Sequence, residues 1–355
     1  MSSTSTLEVG RSRSTQLRVG VLISTVLVLL ALSPASAQAH GASDPVASSY
    51  LARIASVPAG MRATIVDGDL RMWLRVPSRG SVYVLDYQGA PYLHLEGGRI
   101  WANEESQMYY FNQSPPVNPP FGLHRTTHPR WVQVGSGTSY EWHDGRLQAL
   151  AIVALAPGTA RVGSWRIPLL VNGRRTTISG TLWYRGAPSI VWFWPIAVLL
   201  LCVIAAWRLQ DAAIDAWMGR LLAVLTLLGI TLAAVGRDLH GRPGLSVFGL
   251  VELAVVLTFV GWALSRIIRD RATSLILFLI AVVAAWEGVS LIPTLLHGYV
   301  LLAVPPVLGR LAAVVCLGGA MALGFVIVRL LQREEGGEEA EAARPATAGN
   351  VAQGV

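Results

Sequence analysis

The sequence has no lysine. All 28 of its basic residues are arginine, which keeps its charge at any relevant pH, and we read this as codon bias from a GC-rich genome. Cysteine is nearly as scarce, at two residues. Both, Cys202 and Cys316, sit inside apolar runs, so a small disulfide-stapled domain is excluded. Only 14% of residues are charged against 53% hydrophobic, which is more apolar than a typical soluble protein. Catalytic patterns are missing too: no G-x-S-x-G, H-E-x-x-H, phosphate-binding glycine loop or C-x-x-C stands in the context such motifs require, and an enzyme is not expected. Asp67-Gly68-Asp69 reads as a turn rather than a calcium loop. A net charge of +7 would suggest nucleic acid in a soluble protein. Here arginines flanking membrane helices account for part of it, so the expected partners are a lipid bilayer and anionic envelope polymers, with no nucleic acid.

What the sequence does contain is a sharp change of solvent. Ile190 to Trp207 runs without a charge and is long enough as a helix to cross a hydrocarbon core. The segment before it is polar and punctuated by glycine and proline; four more apolar runs follow. At the start, Arg11, Arg13 and Arg18 precede an apolar run from Val19 to Leu32 and then Ala37-Gln38-Ala39, the three parts of an export signal, with an uncleaved anchor helix as the alternative. We therefore expect a signal peptide over 1–39, an extracytoplasmic β domain over 40–188, a transmembrane domain over 189–333 and a disordered cytoplasmic tail over 334–355.

Within 40–188 short runs alternate with turn signals. Arg62 to Val66 and Leu70 to Val76 flank Asp67-Gly68-Asp69 as a hairpin. Ser81 to Leu85 precedes Gln88-Gly89, Tyr92 to Leu95 precedes Glu96-Gly97-Gly98, and Trp165 to Val171 is joined to Thr176 to Tyr184 through Asn172-Gly173. Strands at this spacing predict an antiparallel, immunoglobulin-like β-sandwich. Ser114 to Pro120 is too proline-rich for a central strand.

Beyond the pivot, spans are expected at Trp217 to Val235, Leu245 to Leu264, Thr273 to Ile292 and Leu308 to Leu331, giving an all-α bundle of five transmembrane helices. With the β domain outside, the internal links carry Arg208, Arg220, Arg266, Arg269 and Arg271, and Arg329 and Arg333 begin the tail. The external links hold Arg237, Arg242 and Arg310. That bias places the tail in the cytoplasm of a multi-pass plasma-membrane protein. Tyr299 to Val304, between Pro293 and Pro305-Pro306, is too short to cross and is expected in the outer interface.

All seven histidines fall outside under this topology. Neutral imidazole is the commonest metal ligand, so metal binding is a natural expectation. Cleavage after Ala39 would leave His40 first, where its α-amine and imidazole chelate one copper ion together if another histidine adds a nitrogen. His143, His124 and His128 are the candidates. His124 and His128 stand four apart, beside Pro129 in an expected loop. In Tyr140-Glu141-Trp142-His143-Asp144-Gly145-Arg146, Asp144 could orient His143 or pair with Arg146, and Trp142 could be a core aromatic. In the helical half, Glu252 and Glu287 are the acidic residues well within spans, at similar depths near the external loops. With His240, His297, Arg237 and Asp238 close by, they suggest an outward-facing pocket for an ion, a proton or a pairing with Arg237 or Arg310; shallow glutamates reaching the headgroups are the alternative.

The segment from Pro91 to Arg146, with N-Q-S-P-P, P-R-W-V and Y-x-W-H-D-x-R, resembles a group of actinobacterial membrane proteins that pair an exported β domain with a small helical bundle. Their cluster commonly reads W-H-D-H-R; here Gly145 replaces the second histidine. More loosely, the A-H-G ending of the export signal, the β-sandwich and the following spans are similar to CopC-type copper-binding proteins and their CopD-type membrane partners, although methionine-rich copper motifs are missing. The expected function is envelope metal binding, copper first. A non-catalytic envelope interaction or assembly protein, with a membrane anchor and an envelope protein partner, is the alternative.

Overall fold

The computed structural model describes residues 45–113, 116–120, 123, 129–148, 159–209, 212–240, 247–269 and 273–342. The expected signal peptide, the expected cleavage point and the last residues of the expected tail lie outside them. A β-rich N-terminal region is followed by helices.

The β region begins with β1 (Ala47–Ser48) and β2 (Tyr50–Ser56), then β3 (Arg62–Val66), β4 (Arg71–Arg75), β5 (Ser81–Leu85), β6 (Pro91–Glu96) and β7 (Arg99–Asn103). A short helix α1 (Gln107–Phe111) precedes β8 (Trp131–Ser136), β9 (Ser139–His143), β10 (Thr159–Val171) and β11 (Arg174–Arg185). One antiparallel sheet has seven strands in the order β2-β11-β10-β5-β6-β7-β8; a second has three, β3-β4-β9. Both lend side chains to one apolar core, with Met72, Leu74 and Trp142 from the smaller sheet against Val84, Leu93 and Ile167 from the larger. A seven-and-three division differs from the four-and-three division of an immunoglobulin constant domain.

The hairpins follow from their turn residues. Asn172 and Gly173 both take positive φ, 48° and 79°, the left-handed pair that matches the twist of the long β10–β11 hairpin. On the open face of the large sheet Tyr83 and His94 stack with ring centroids 4.1 Å apart, and His94 stacks on Trp101 at 5.1 Å. Such cross-strand aromatic pairs stabilise neighbouring strands.

The helical region holds α2 (Trp194–Leu209), α3 (Ala212–Asp238), α4 (Val247–Ile268), α5 (Ser274–Ser290), the short α6 (Ile292–Leu296) and α7 (Pro306–Ala342). Among the described residues three helical segments are long and apolar enough to cross a membrane: Ala216–Asp238, Val247–Ile268 and Pro306–Gln332. The pivot run is not one continuous α-helix, because Ile190–Phe193 winds as a 3-10 turn and the α-helix starts at Trp194, with Pro195 early in it where a missing N–H costs nothing. Its 16 residues rise about 24 Å, short of a full hydrocarbon core. α5, at 17 residues, is also short. α7 packs against α2, α3 and α5, helped by small residues: a side chain at Gly288 would come within 3.0 Å of Leu317.

Two expectations are corrected here. Disorder is expected over 334–355; α7 instead continues to Ala342, since alanine and glutamate favour helix and the span already supplies the nucleus, and the residues after Ala342 lie outside those described. Arg237 was placed in an external link, but α3 runs through Asp238 and carries Arg237 in its last turn.

The segment after α6 becomes a strap between the two regions. β12 (Tyr299–Val300) pairs with β1, Ala47 opposite Val300. Leu301 N–H donates to the Val46 carbonyl at 2.8 Å, and Ala303 N–H to the Gly236 carbonyl at 2.7 Å. Ser49 Oγ and His297 Nδ1 are 2.9 Å apart. Arg310 donates from Nε to the Thr294 carbonyl at 3.0 Å and from Nη2 to the Gly298 carbonyl at 3.0 Å, with its guanidinium over Trp192. The β region is thus fastened to the helices by backbone hydrogen bonds.

Candidate functional site

In the helical region an ion-paired cluster gathers where α3 ends, α4 begins and α5 ends. An up-and-down helix order brings these three termini to the same side, the side of the strap. Arg237 Nη1 donates to Glu287 Oε2 at 2.9 Å, Nη2 to Glu252 Oε1 at 2.7 Å and Nε to Asp238 Oδ1 at 3.1 Å. One guanidinium therefore serves three carboxylates. Arginine suits this role because its planar fork presents separate donors in different directions.

The three acids differ in surroundings. The side chains of Glu287 and Asp238 are 3% and 4% exposed, whereas that of Glu252 is 55% exposed and forms the rim. Asp238 Oδ2 is buried and has no hydrogen-bond partner among the described residues. With every carboxylate ionised the centre holds an excess of negative charge in a poorly solvated place, which is costly. Gly236, next to Arg237, accepts the Ala303 N–H of the strap, so the centre touches the joint directly.

Of the residues singled out in the sequence, the structure brings Glu252 and Glu287 together through Arg237. His240 and His297 lie on the same side but outside this cluster. His297 meets Ser49 of the β region. Burial pushes the His240 imidazole below its ordinary value, opposed by a hydrogen bond with the Leu302 backbone. Arg310, the other pairing candidate, binds carbonyls instead.

The aromatic-charged cluster in the β region is a second centre. Asp144 is fully buried and accepts from Trp142 Nε1 at 3.0 Å, Arg146 Nε at 2.8 Å and Arg146 Nη2 at 2.7 Å. Arg146 also donates to the Leu85 carbonyl at 3.0 Å and lies over Tyr87, whose hydroxyl accepts the Gly145 N–H at 2.8 Å. Of the two roles open to Asp144, the one seen is the pairing with Arg146, and Trp142 is a core aromatic. His143 has an exposed side chain at the end of β9, while its backbone exchanges hydrogen bonds with the Asn112 side chain at 2.6 and 3.1 Å. Beside it Asp86, unremarked in the sequence, accepts from Gln88 N, Ala90 N and Ser106 Oγ and ties α1 to the sheet. Only its place before a Q-G turn hints at that role.

Three of the four copper-ligand candidates, His40, His124 and His128, lie outside the described residues. Among the described residues no group of three or more His, Cys, Asp or Glu is disposed to hold a metal ion. His94 stacks between Tyr83 and Trp101, its Nε2 2.9 Å from Ser81 Oγ; burial pushes its imidazole below the usual value, against the opposing pull of Glu96. Comparison with protein-family models, with curated proteins and with solved structures finds no match.

Proposed function

We propose that the chain is a multi-pass protein of the plasma membrane whose extracytoplasmic β domain is docked on five membrane-crossing helices, and that the centre around Arg237 exchanges protons with the outer solution. The observation that carries this reading is the convergence of Glu252, Glu287 and Asp238 on one arginine. Ionisable groups in a membrane domain are expensive and mark ion or proton paths by default. A proton suits the centre better than a metal ion, because Arg237 already occupies the space between the acids. The arginines near the opposite ends of the helices, Arg208, Arg220, Arg266, Arg269 and Arg329, support a cytoplasmic side away from the β domain. α2 and α5 reach across with help from the 3-10 turn before one and α6 after the other.

Protonation of Glu287 would cost Arg237 its most buried partner and loosen the Gly236–Ala303 contact. Hydrogen exchange at the Leu301 and Ala303 amides of the chain in lipid discs tests this, in an Asp69→Asn background that removes a second acid near the joint. Protection, corrected for intrinsic exchange, falls from pH 8 to pH 5, and Glu287→Gln shows the low protection at both. Equal protection at both pH values in the Asp69→Asn chain refutes proton coupling.

Copper binding through His40 is a separate proposal for envelope metal homeostasis. It rests on the A-H-G ending of the export signal and is tested below.

A further inference from the structure

The β3–β4 hairpin has an unusual open end. Arg62 and Arg75 are directly opposite in register there, and both are exposed. Like charges facing each other across strands weaken the pairing. Among the described residues the ion pairs include neither arginine. Both line a cleft of about 370 Å³ with Gly60, Val76, Pro77, Ser78 and Thr138. No carboxylate is among these residues, while Ser78 and Thr138 add hydroxyl donors.

Two guanidinium forks anchored on Cβ atoms about 5 Å apart can close on a single oxyanion. A carboxylate has two oxygens, which one arginine engages side by side, leaving the second without a full partner. A tetrahedral phosphate offers an edge to each fork and a remaining oxygen to a hydroxyl. The surrounding protein leaves the repulsion between the two cations uncancelled, and a phosphate dianion or diester cancels it.

The position of the cleft decides the source. The turn at the other end of the hairpin abuts the strap, where a side chain at Gly68 would lie 3.2 Å from Leu301. Four residues of extended chain, about 13 Å, separate that turn from Arg62. We propose that the Arg62–Arg75 cleft is a phosphate-binding site for a phosphate-bearing molecule, such as a phosphodiester polymer, in the space on the β-domain side rather than for a headgroup of the protein's own bilayer.

The test is calorimetric titration of the full chain in zwitterionic lipid discs with a soluble glycerol-phosphate oligomer. The proposal expects saturable binding that weakens about tenfold or more in the Arg62→Gln/Arg75→Gln double variant. The control, Arg174→Gln/Arg175→Gln, removes the same charge from the start of β11, at residues that do not line the cleft, and is expected to bind within about twofold of the parent. No binding by the parent, or an equal loss in both double variants, overturns the site, the latter showing attraction by net charge alone. Discs with added anionic phospholipid, at an ionic strength that screens charges beyond about 8 Å, are expected to bind the oligomer equally well. Competition by that lipid would make a headgroup the occupant and overturn the assigned source.

Discussion

Replacing Asp144 with alanine separates a structural role for the W-H-D cluster from a ligand role. Asp144 is fully buried, its partner Arg146 is 15% exposed at the side chain, and Trp142 Nε1 has the carboxylate as its acceptor. Removing one partner of a buried pair costs about 3–5 kcal/mol because the other charge is left uncompensated. Losing the acceptor of the Trp142 N–H adds about 1–3 kcal/mol in isolation, though two effects on one group do not simply sum. Arg146 keeps its bonds to the Leu85 and Asp86 carbonyls, which favours the lower part of the range. We expect about 4 kcal/mol, or roughly 8–16 °C in the melting of a domain this size. Asp144→Asn preserves the shape and one acceptor and should fall about halfway. His143→Ala, at an exposed side chain, should stay within about 0.5 kcal/mol of the parent. The assay is thermal unfolding followed by near-ultraviolet circular dichroism of the chain in detergent. A melt of Asp144→Ala within about 2 °C of the parent would refute the reasoning, since no uncompensated buried arginine could be so cheap.

Burial pushes the Asp69 carboxyl up to about 6, with the Ser48 hydroxyl opposing. The folded chain then holds this proton more tightly than the unfolded chain, so stability is lost as pH rises from about 4 through about 6, by at most about 3 kcal/mol. Asp69→Asn removes that loss: the variant gains on the parent above pH 6 and matches it near pH 4, and parallel pH profiles of melting would contradict the assignment. A methyl at Gly298 would strike the Arg185 and Gly186 carbonyl oxygens, which are backbone and cannot swing aside. Gly298→Ala should cost roughly 1–3 kcal/mol and unprotect the Leu301 amide, whereas Gly261→Ala, which opens into free space, should leave that amide unchanged. For the copper proposal, the mature chain beginning at His40 should bind one Cu²⁺ by calorimetry and lose it on acetylation of its α-amine. Indifference to acetylation would end that idea.

How much was legible depended on the range of the interactions. The hairpins at Asp67-Gly68 and Asn172-Gly173 were readable because positive-φ turns and period-two alternation are local signals, and β3 and β5 lie where the pattern put them. The apolar runs were readable for the same reason, although the last turns were not: hydropathy stops at Val235, but the hydrogen-bond ladder of α3 continues through Arg237 and Asp238. The three added residues, Gly236 to Asp238, move Arg237 from a loop onto the helix that faces α4 and α5. That change turns a vague pairing option into a three-way centre.

The segment Tyr299 to Val304 stood out in the sequence, but its pairing as a strap did not, because β1 and β12 are about 250 residues apart and each is two residues long. So short a strand carries no periodicity, and its pairing is set by what surrounds it: Arg310 holding the Thr294 and Gly298 carbonyls on one side, Val46 and Ser49 on the other. The same reasoning explains why Glu252 and Glu287 could be matched in depth but not assigned a partner. Depth follows from counting residues at a fixed rise, whereas the azimuth that brings both acids onto Arg237 is fixed by how α3, α4 and α5 pack. A joint and a charged centre that share Gly236 and Arg237 as chain neighbours cannot be perturbed independently. A substitution at Arg237 should therefore register in the strap amides even though no atom of the strap is bonded to its guanidinium.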